Sequence, residues 1–505
     1  ILDPTWNYGG WIEIYNPTTR NINLKNHWIS DDPGKLKKLR INHDVIVPAK
    51  GFANLWFGHY SLYWPTQMNM KLDCDGGIIC LASNTGWLID SVEYPPAVSR
   101  TSYARGTDAG EEWGYTATPT PAATNEGILL TMHRLEAPDV VPESQIFSGA
   151  ISIKVDIPEG ATLRYTMDGS TPTLENGRTS TSGNLSTSGT RVFRFALFQD
   201  GCLSSPVVTR SYIKRDKSFN IPVVSVVTDP DHLYDPTIGF LTQGTNGRRG
   251  KGTSAYCNWN HDWDRPVNFE MLDPQTGRSL INMEADMSRC GGHSKGFTPF
   301  SFKIKAGKEY EGKNYLDWQF FPDKPYLKHK ALQFRCGGND YLCRIKDAAL
   351  QSIVRTSGID VDLQDYAPVC HYLNGEFMGT INMREPNNKH NVYANYGLDD
   401  DEIDMYEIEC DSGYVQMCGT RDAWQRLKSL SANAADPEVY AQIKNLLDID
   451  ECCNYMAIQF YLGNNDWPQN NLKAWRPIME NGKFRFIVFD LDFGFYNNDP
   501  FPHFT

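Results

Sequence analysis

A chain of 505 residues, 40% hydrophobic and 12% aromatic, carries enough apolar side chains for roughly two to four folded domains, which excludes an extensively disordered protein. The net charge of −13 excludes a general nucleic-acid binder, because such a protein needs a basic face to displace counterions. No run of about twenty apolar residues is present, so no transmembrane segment is expected, and the chain opens at Ile1 as a processed or trimmed sequence would.

Residues 1–125 alternate in short runs, such as Trp11-Ile12-Glu13-Ile14-Tyr15 and Asp44-Val45-Ile46-Val47, between clusters of Pro, Gly, Asn and Asp. Turn signals at this spacing predict an all-β sandwich. The basic run from Lys35 to Arg40 reads as a solvated face. Glu13 to Pro17, Trp28 to Asp31, Trp113 and the Thr- and Pro-rich stretch 118–125 resemble a lamin-tail domain, an immunoglobulin-like module of exported bacterial proteins. That resemblance implies presentation or adhesion.

Residues 135–214 form a second β module, in which Arg191 to Leu197 alternates as a strand. Asp168-Gly169-Ser170 follows a strand end and reads as a tight turn, not as a catalytic or calcium loop. The segment resembles the small sandwich that follows the catalytic domain of chitobiases and β-hexosaminidases, and it reads as a spacer. Twelve cysteines are scattered without a paired Cys-x-x-Cys spacing, so zinc-ribbon and redox readings are weak. Cys74 with Cys80, and Cys410 with Cys418, bracket turns across which they could pair.

Residues 219–505 read as an α+β domain. The polar stretch 244–251, with Arg248, Arg249 and Lys251 among glycines, lacks the context of a P-loop and reads as a lid. Helical periodicity is predicted over 341–356, with Leu342, Ile345, Ala349, Leu350 and Ile353 as one stripe. Further helices follow at 422–430, 437–447 and from Asp450, the last capped by Asp448 or Asp450. Met456, Phe460 and Tyr461 read as core.

The region from Leu462 to Phe495 organises this domain. Asp466 is followed five positions later by Asn471, and an apolar run, 484–489, ends in Asp490-Leu491-Asp492-Phe493-Gly494. Asn481-Gly482 between them signals a hairpin, which folds the two halves together. If the strand persisted, Asp490 and Asp492 would face the same side. Three carboxylates and an amide suit Mg²⁺ or Mn²⁺, which take oxygen ligands and leave positions for phosphate and water. In protein kinases an Asp and an Asn five residues on, then Asp-Phe-Gly after a strand, supply the catalytic acid and metal ligands.

These residues resemble the CotH kinase family, atypical exported and secretory-pathway kinases of distantly kinase-like fold. The likeness also runs through Ile221 to Ser225, Asn268-Phe269-Glu270, Arg335-Cys336-Gly337-Gly338-Asn339-Asp340, Tyr372 to Glu376 and Met383-Arg384-Glu385. It implies that Asp466 is the catalytic acid, that Asn471 and Asp490 hold the metal, and that Asp492 is a second acid. In the stretch Thr298 to Lys303, where relatives carry Lys before the residue matching Ser301, the chain has Phe300. Arg289, Lys303 or Lys305 would then neutralise the phosphates of ATP, with Glu385 orienting a cation. The expectation is a metal-dependent protein kinase acting on Ser or Thr of an unidentified exported or surface protein. A pseudokinase adhesion protein and a sugar binder using Trp259 and Trp263 are the alternatives. The domain reads as cut short near Thr505, where relatives continue into further helices.

Overall fold

The computed structural model describes residues 10–57, 66–70, 72–98, 101–250, 255–311, 313–324, 326–340, 343–409 and 413–495. In the first β module the Trp11–Tyr15 strand pairs with Phe52–Phe57, and Trp28–Ser30 with Gly77–Ala82 in a second sheet. Alternation along Trp11–Tyr15 turns Ile12 and Ile14 onto a core of Ile29, Leu55 and Phe57. Cys74 and Cys80 do not pair with each other, and Cys410 lies outside the described residues.

The second module sets a three-stranded sheet against a five-stranded one around Leu163, Phe193, Phe195 and Tyr212. Asp168 makes the expected turn, accepting from Ser170 N at 3.0 Å. Gly169, at φ +91°, sits so close to the Thr228 carbonyl that a Cβ would stand 2.4 Å from it. The turn is therefore pressed onto the next unit. This corrects the spacer reading: Ile146 and Ile213 share one apolar cluster with Phe219, Val223, Leu272 and Tyr372 of the following region. Ser211 and Ser225 also share a hydrogen bond of 2.9 Å across that boundary.

From Val223 onward the strands close into a seven-stranded barrel: Val223–Val227, Asp264–Leu272, Ser279–Arg289, Phe302–Lys305, Ala331–Arg335, Glu376–Arg384 and Tyr366–Leu373. Closure is a parallel pairing of Tyr366–Leu373 with Val223–Val227. Phe269, Phe302, Ile304, Leu332 and Phe334 fill the interior. Large buried aliphatic and aromatic groups at alternate positions supply the driving force, about 1.5–3 kcal/mol per side chain.

Below the barrel lies a five-stranded sheet in the order Asp362–Leu363, Arg485–Val488, Leu472–Pro477, Ile403–Glu409, Gly413–Cys418. The helices Asp422–Ser431, Pro437–Lys444 and Ile449–Leu462 pack against it through Leu427, Ile443, Tyr455, Ile458 and Leu462. With 37% of the chain in strands and 15% in helices, β structure dominates even though the C-terminal region carries these helices.

The helix expected over 341–356 spans Lys346–Thr356, and residues 341–342 lie outside the described ones. Its expected stripe is corrected. Ile345 and Ile353 are exposed, while Asp347 and Gln351 are buried beside Leu350 and Val354. Polar groups win that face because Gln351 Nε2 donates to the Val488 carbonyl at 3.1 Å and Asp347 Oδ1 accepts from Leu491 N at 2.9 Å. Among the described residues, no helix is long and apolar enough to cross a membrane.

Candidate active site

Strand alternation decides which barrel residues face the lower sheet. Phe302, Ile304 and Phe334 point into the barrel, so Lys303, Lys305, Gln333 and Arg335 lie on its outer side. Arg335 bridges to the lower half. Its Nη1 reaches Asp347 at 3.1 Å and its Nη2 reaches Asp490 at 2.6 Å, with Asp492 at 3.9 Å. Arg384 also donates to Asp347. These charges are largely buried, so removing one partner would strand another in low dielectric at about 3–5 kcal/mol.

Asp466 is delivered by the helix Ile449–Leu462, which Asp448 caps by accepting from Glu451 N at 3.3 Å. Gly463 ends it at φ +54°, a left-handed residue that turns the chain into the loop. Trp467 anchors that loop, donating through Nε1 to the Tyr455 hydroxyl at 2.8 Å. Asp466 Oδ2 accepts from Asn470 Nδ2 at 2.9 Å and from Asn471 Nδ2 at 2.8 Å. Half-burial raises its pKa above the usual carboxylate range and the charge of Asp490 adds to this, against the two amide bonds.

Asp490 and Asp492 come together by a different route from the one expected. The strand ends at Val488, Asp490 adopts φ +55°, and Asp492 lies in the short 3-10 turn Leu491–Phe493. Both side chains nevertheless converge on Arg335. Asp492 Oδ2 also accepts from Asn339 N at 2.9 Å. Gly338 permits this approach, since a Cβ there would stand 2.6 Å from that oxygen. Burial, then the neighbouring Asp490, pushes the Asp492 carboxyl up to about 7.

The predicted cations are placed unequally. Arg289 stands opposite Phe302, turned toward the barrel interior, with its guanidinium 5.0 Å from the Phe300 ring centre. It is buried, and that burial lowers its basicity to about 10. Lys305 pairs with Asp264 at 2.7 Å and Asp286 at 3.6 Å. Glu385 is fully buried and bonds Lys324 at 2.7 Å, Asn395 at 3.0 Å and Asp365 N at 2.8 Å. Among the described residues, none of Arg289, Lys303 and Lys305 is its ion-pair partner. Lys303 has no carboxylate within ion-pair distance among the described residues. Trp263 is buried and stacked on His261 at 4.1 Å, which removes it as an exposed sugar platform. A cavity of about 640 Å³ lies elsewhere, in the first β module, and holds none of these groups.

Sequence reasoning passed over Asp347, and it left Arg335 and Arg384 without a role although it noted the motifs around them. Their partners lie far off in the chain, as with Arg335 and Asp490, 155 positions apart. The one local signal was the polar pair Asp347 and Gln351, four apart and therefore on one helix face.

Among the described residues, no three His, Cys, Asp or Glu side chains gather closely enough to hold a metal by themselves. Mg²⁺ ordinarily uses one or two carboxylates and is completed by phosphate and water. Asp490 and Asp492, repelling each other in a buried setting, with the Asn471 amide on the adjoining loop, make a donor set of that kind. The residues present fit a hard divalent cation that arrives with a phosphorylated ligand.

A barrel seated on a helix-backed sheet, with buried acids at the junction, makes a β-rich two-part domain. Residues 289–500 match the family described as CotH kinase protein. The match begins at the last residue of the third barrel strand. No curated protein matches the chain.

Proposed function

We propose that the region from about Phe219 transfers the γ-phosphate of ATP to Ser or Thr of an exported or surface protein, with Mg²⁺ or Mn²⁺. The observation that carries this reading is the carboxylate of Asp466, bonded to Asn471 and close enough to feel the charge of Asp490. In it, Asn471, Asp490 and Asp492 hold the metal, which when bound would neutralise charge on the phosphates. Asp466 orients the acceptor hydroxyl and takes its proton as the hydroxyl oxygen bonds phosphorus and the bond to ADP breaks. A base whose pKa is raised by burial suits that task better than a fully solvated aspartate. Arg335 holds Asp490 through one oxygen, Oδ1, and so fixes its direction. The two N-terminal β modules, lamin-tail-like and chitobiase-like in sequence, present the domain outside the cell.

A second reading has its own observation. Phe300, where relatives carry Lys, is part of the barrel core, so no ammonium reaches the phosphates from that position. The domain would then bind nucleotide without transfer, as a pseudokinase surface protein. Calorimetry with ATP, with and without Mn²⁺ or Mg²⁺, run beside labelled-phosphate incorporation into the chain and a generic acceptor, separates the readings. Metal-dependent binding with incorporation supports the kinase. Metal-dependent binding alone supports the pseudokinase, and tight metal-free binding removes the metal role of Asn471 and Asp490.

A further inference from the structure

Glu385 follows directly on the barrel strand Glu376–Arg384 and is fully buried. Its Oε2 accepts from Lys324 Nζ at 2.7 Å and its Oε1 from Asn395 Nδ2 at 3.0 Å, while Lys324 Nζ also donates to Asn395 Oδ1 at 2.6 Å. Amine, amide and carboxylate therefore close a triangle. Each corner is also held from outside it. Asp365 N donates to Glu385 Oε2 at 2.8 Å, Lys324 N to the Phe321 carbonyl at 3.1 Å, and Asn395 Nδ2, on the helix Lys389–Tyr396, to the Asn391 carbonyl at 2.9 Å. That last bond fixes which end of the amide faces the lysine. The Glu385 side of the triangle is walled by buried Phe320, Phe321 and His329, with the imidazole edge-on to the two phenyl rings at 5.5 and 5.6 Å. Burial lowers the His329 pKa and keeps the ring uncharged at neutral pH, and Asp365 is paired with Arg355 at 2.7 Å.

In water an ammonium and a carboxylate stay ionised, but in an apolar pocket passing the proton across leaves two neutral groups with less desolvation to bear. A neutral amine held against a side-chain amide is a nucleophile beside an acyl carbon. We propose that Lys324 and Asn395 become joined by an isopeptide bond, with Glu385 carrying the proton. Glu385 Oε2 takes a proton from Lys324, the freed lone pair on Nζ bonds Asn395 Cγ, and the carbonyl electrons move onto Oδ1. Collapse of that tetrahedral centre breaks the Cγ–Nδ2 bond, and Glu385 returns its proton to Nδ2, which Oε1 faces. Nδ2 takes a second proton from Nζ and leaves as ammonium. The ammonium of Lys324 and the amide of Asn395 thus become one new amide and a released ammonium ion, Glu385 ends as it began, and no oxidant or co-reactant is consumed. One carboxylate oxygen toward each nitrogen is the arrangement that lets a single group serve as base to one and acid to the other. The bond would strap the turn carrying Lys324 to a helix 71 positions further on. It does not depend on the nucleotide reading.

The experiment is intact-mass spectrometry of the whole purified chain, followed by tryptic mapping, on the unaltered protein and on Asn395→Ala, Lys324→Arg and Glu385→Gln. The unaltered chain should weigh one ammonia less than its sequence, and a branched peptide should carry Lys324 joined to Asn395. Asn395→Ala and Lys324→Arg should return to the full sequence mass. Glu385→Gln, of similar size, should form the bond about a hundredfold more slowly, read as the bonded fraction over time. The decision rests on the unaltered chain, so a variant that fails to fold does not shelter the inference. Full sequence mass in the unaltered chain, with Lys324 and Asn395 recovered on separate peptides, overturns the bond and leaves a buried ion pair. An ammonia loss without the branched peptide, as from ring closure at an Asn-Gly pair, overturns it equally. A bond that forms as fast in folded Glu385→Gln overturns the part given to Glu385.

Discussion

Two cations stand on the outer side of adjacent barrel strands, Arg335 and Lys303. Arg335 meets Asp347, Asp490 and, further off, Asp492 of the lower half. Lys303 has no carboxylate within ion-pair distance among the described residues. The first makes a complementary contact, which ties the Asp490 turn to the barrel before any metal arrives. The second makes none. The comparison separates a charge that holds the site in place from one that no described carboxylate neutralises.

The strongest way to break this division is at Asp466, which is not part of that contact. Asp466→Asn keeps the shape and the amide-bonded loop but removes the proton acceptor. Phosphate incorporation should fall by about 10²- to 10⁴-fold, with metal-nucleotide affinity nearly unchanged by calorimetry. Asp490→Asn should lower affinity and transfer together. If both variants lose affinity equally, Asp466 is a ligand and not a base.

The complementary contact should reveal itself in stability. Asp347→Asn leaves Arg384 and Arg335 short of a counter-charge in a buried setting and weakens the acceptor for Leu491 N. Urea denaturation should show a loss of about 3–5 kcal/mol. Lys303→Gln should fall within about 0.5 kcal/mol of the unaltered chain. Equal losses for the two would erase the distinction.

A third boundary, apolar instead of charged, sharpens the scale. Ile213 of the second module is fully buried against Val223, Leu272 and Tyr372 of the barrel region. Ile213→Ala should cost about 2–5 kcal/mol, read as a lower melting temperature of the barrel itself. A change confined to the second module, with the barrel transition unmoved, would return that module to the role of a spacer.

Local pattern made part of this legible. The order of Asp466, Asn471 and Asp490, the capped helix leading to the loop, and the turn at Asp168 follow from spacing and turn chemistry, which act over a few residues. The family likeness was carried by the sequential order of those motifs. The barrel was not legible, because its closure pairs Val223–Val227 with Tyr366–Leu373, far apart in sequence. Nor was the Arg335 bridge, for the same reason. Asp347 and Gln351 misled the helix reading because periodicity ranks residues by polarity, whereas their burial is set by hydrogen bonds to a loop that arrives more than a hundred residues later.

The smallest expected effect is a slope with pH, and it tests the complementary contact from its acidic side. The folded chain raises the Asp492 carboxyl from the usual 3.8 to about 7 through burial and the nearby Asp490. Below about pH 4 the group is protonated in folded and unfolded chains alike and makes no difference. Between there and pH 7 the unfolded chain ionises while the folded chain keeps its proton, so stability falls as pH rises, and above 7 the loss is complete. Melting should therefore be roughly 2–6 °C higher at pH 5.5 than at pH 8 without divalent metal. Mn²⁺ binds the ionised form, so its stabilising effect should grow as pH passes through about 7 and reverse the slope. Glu270 and Glu451, buried and pushed up to about 7 and about 8, tilt the metal-free curve the same way. The control is Asp492→Asn, which should keep the slope owed to those two and lose the growth of the Mn²⁺ effect with pH. Growth undiminished in that variant would move the metal's proton-linked ligand away from Asp492.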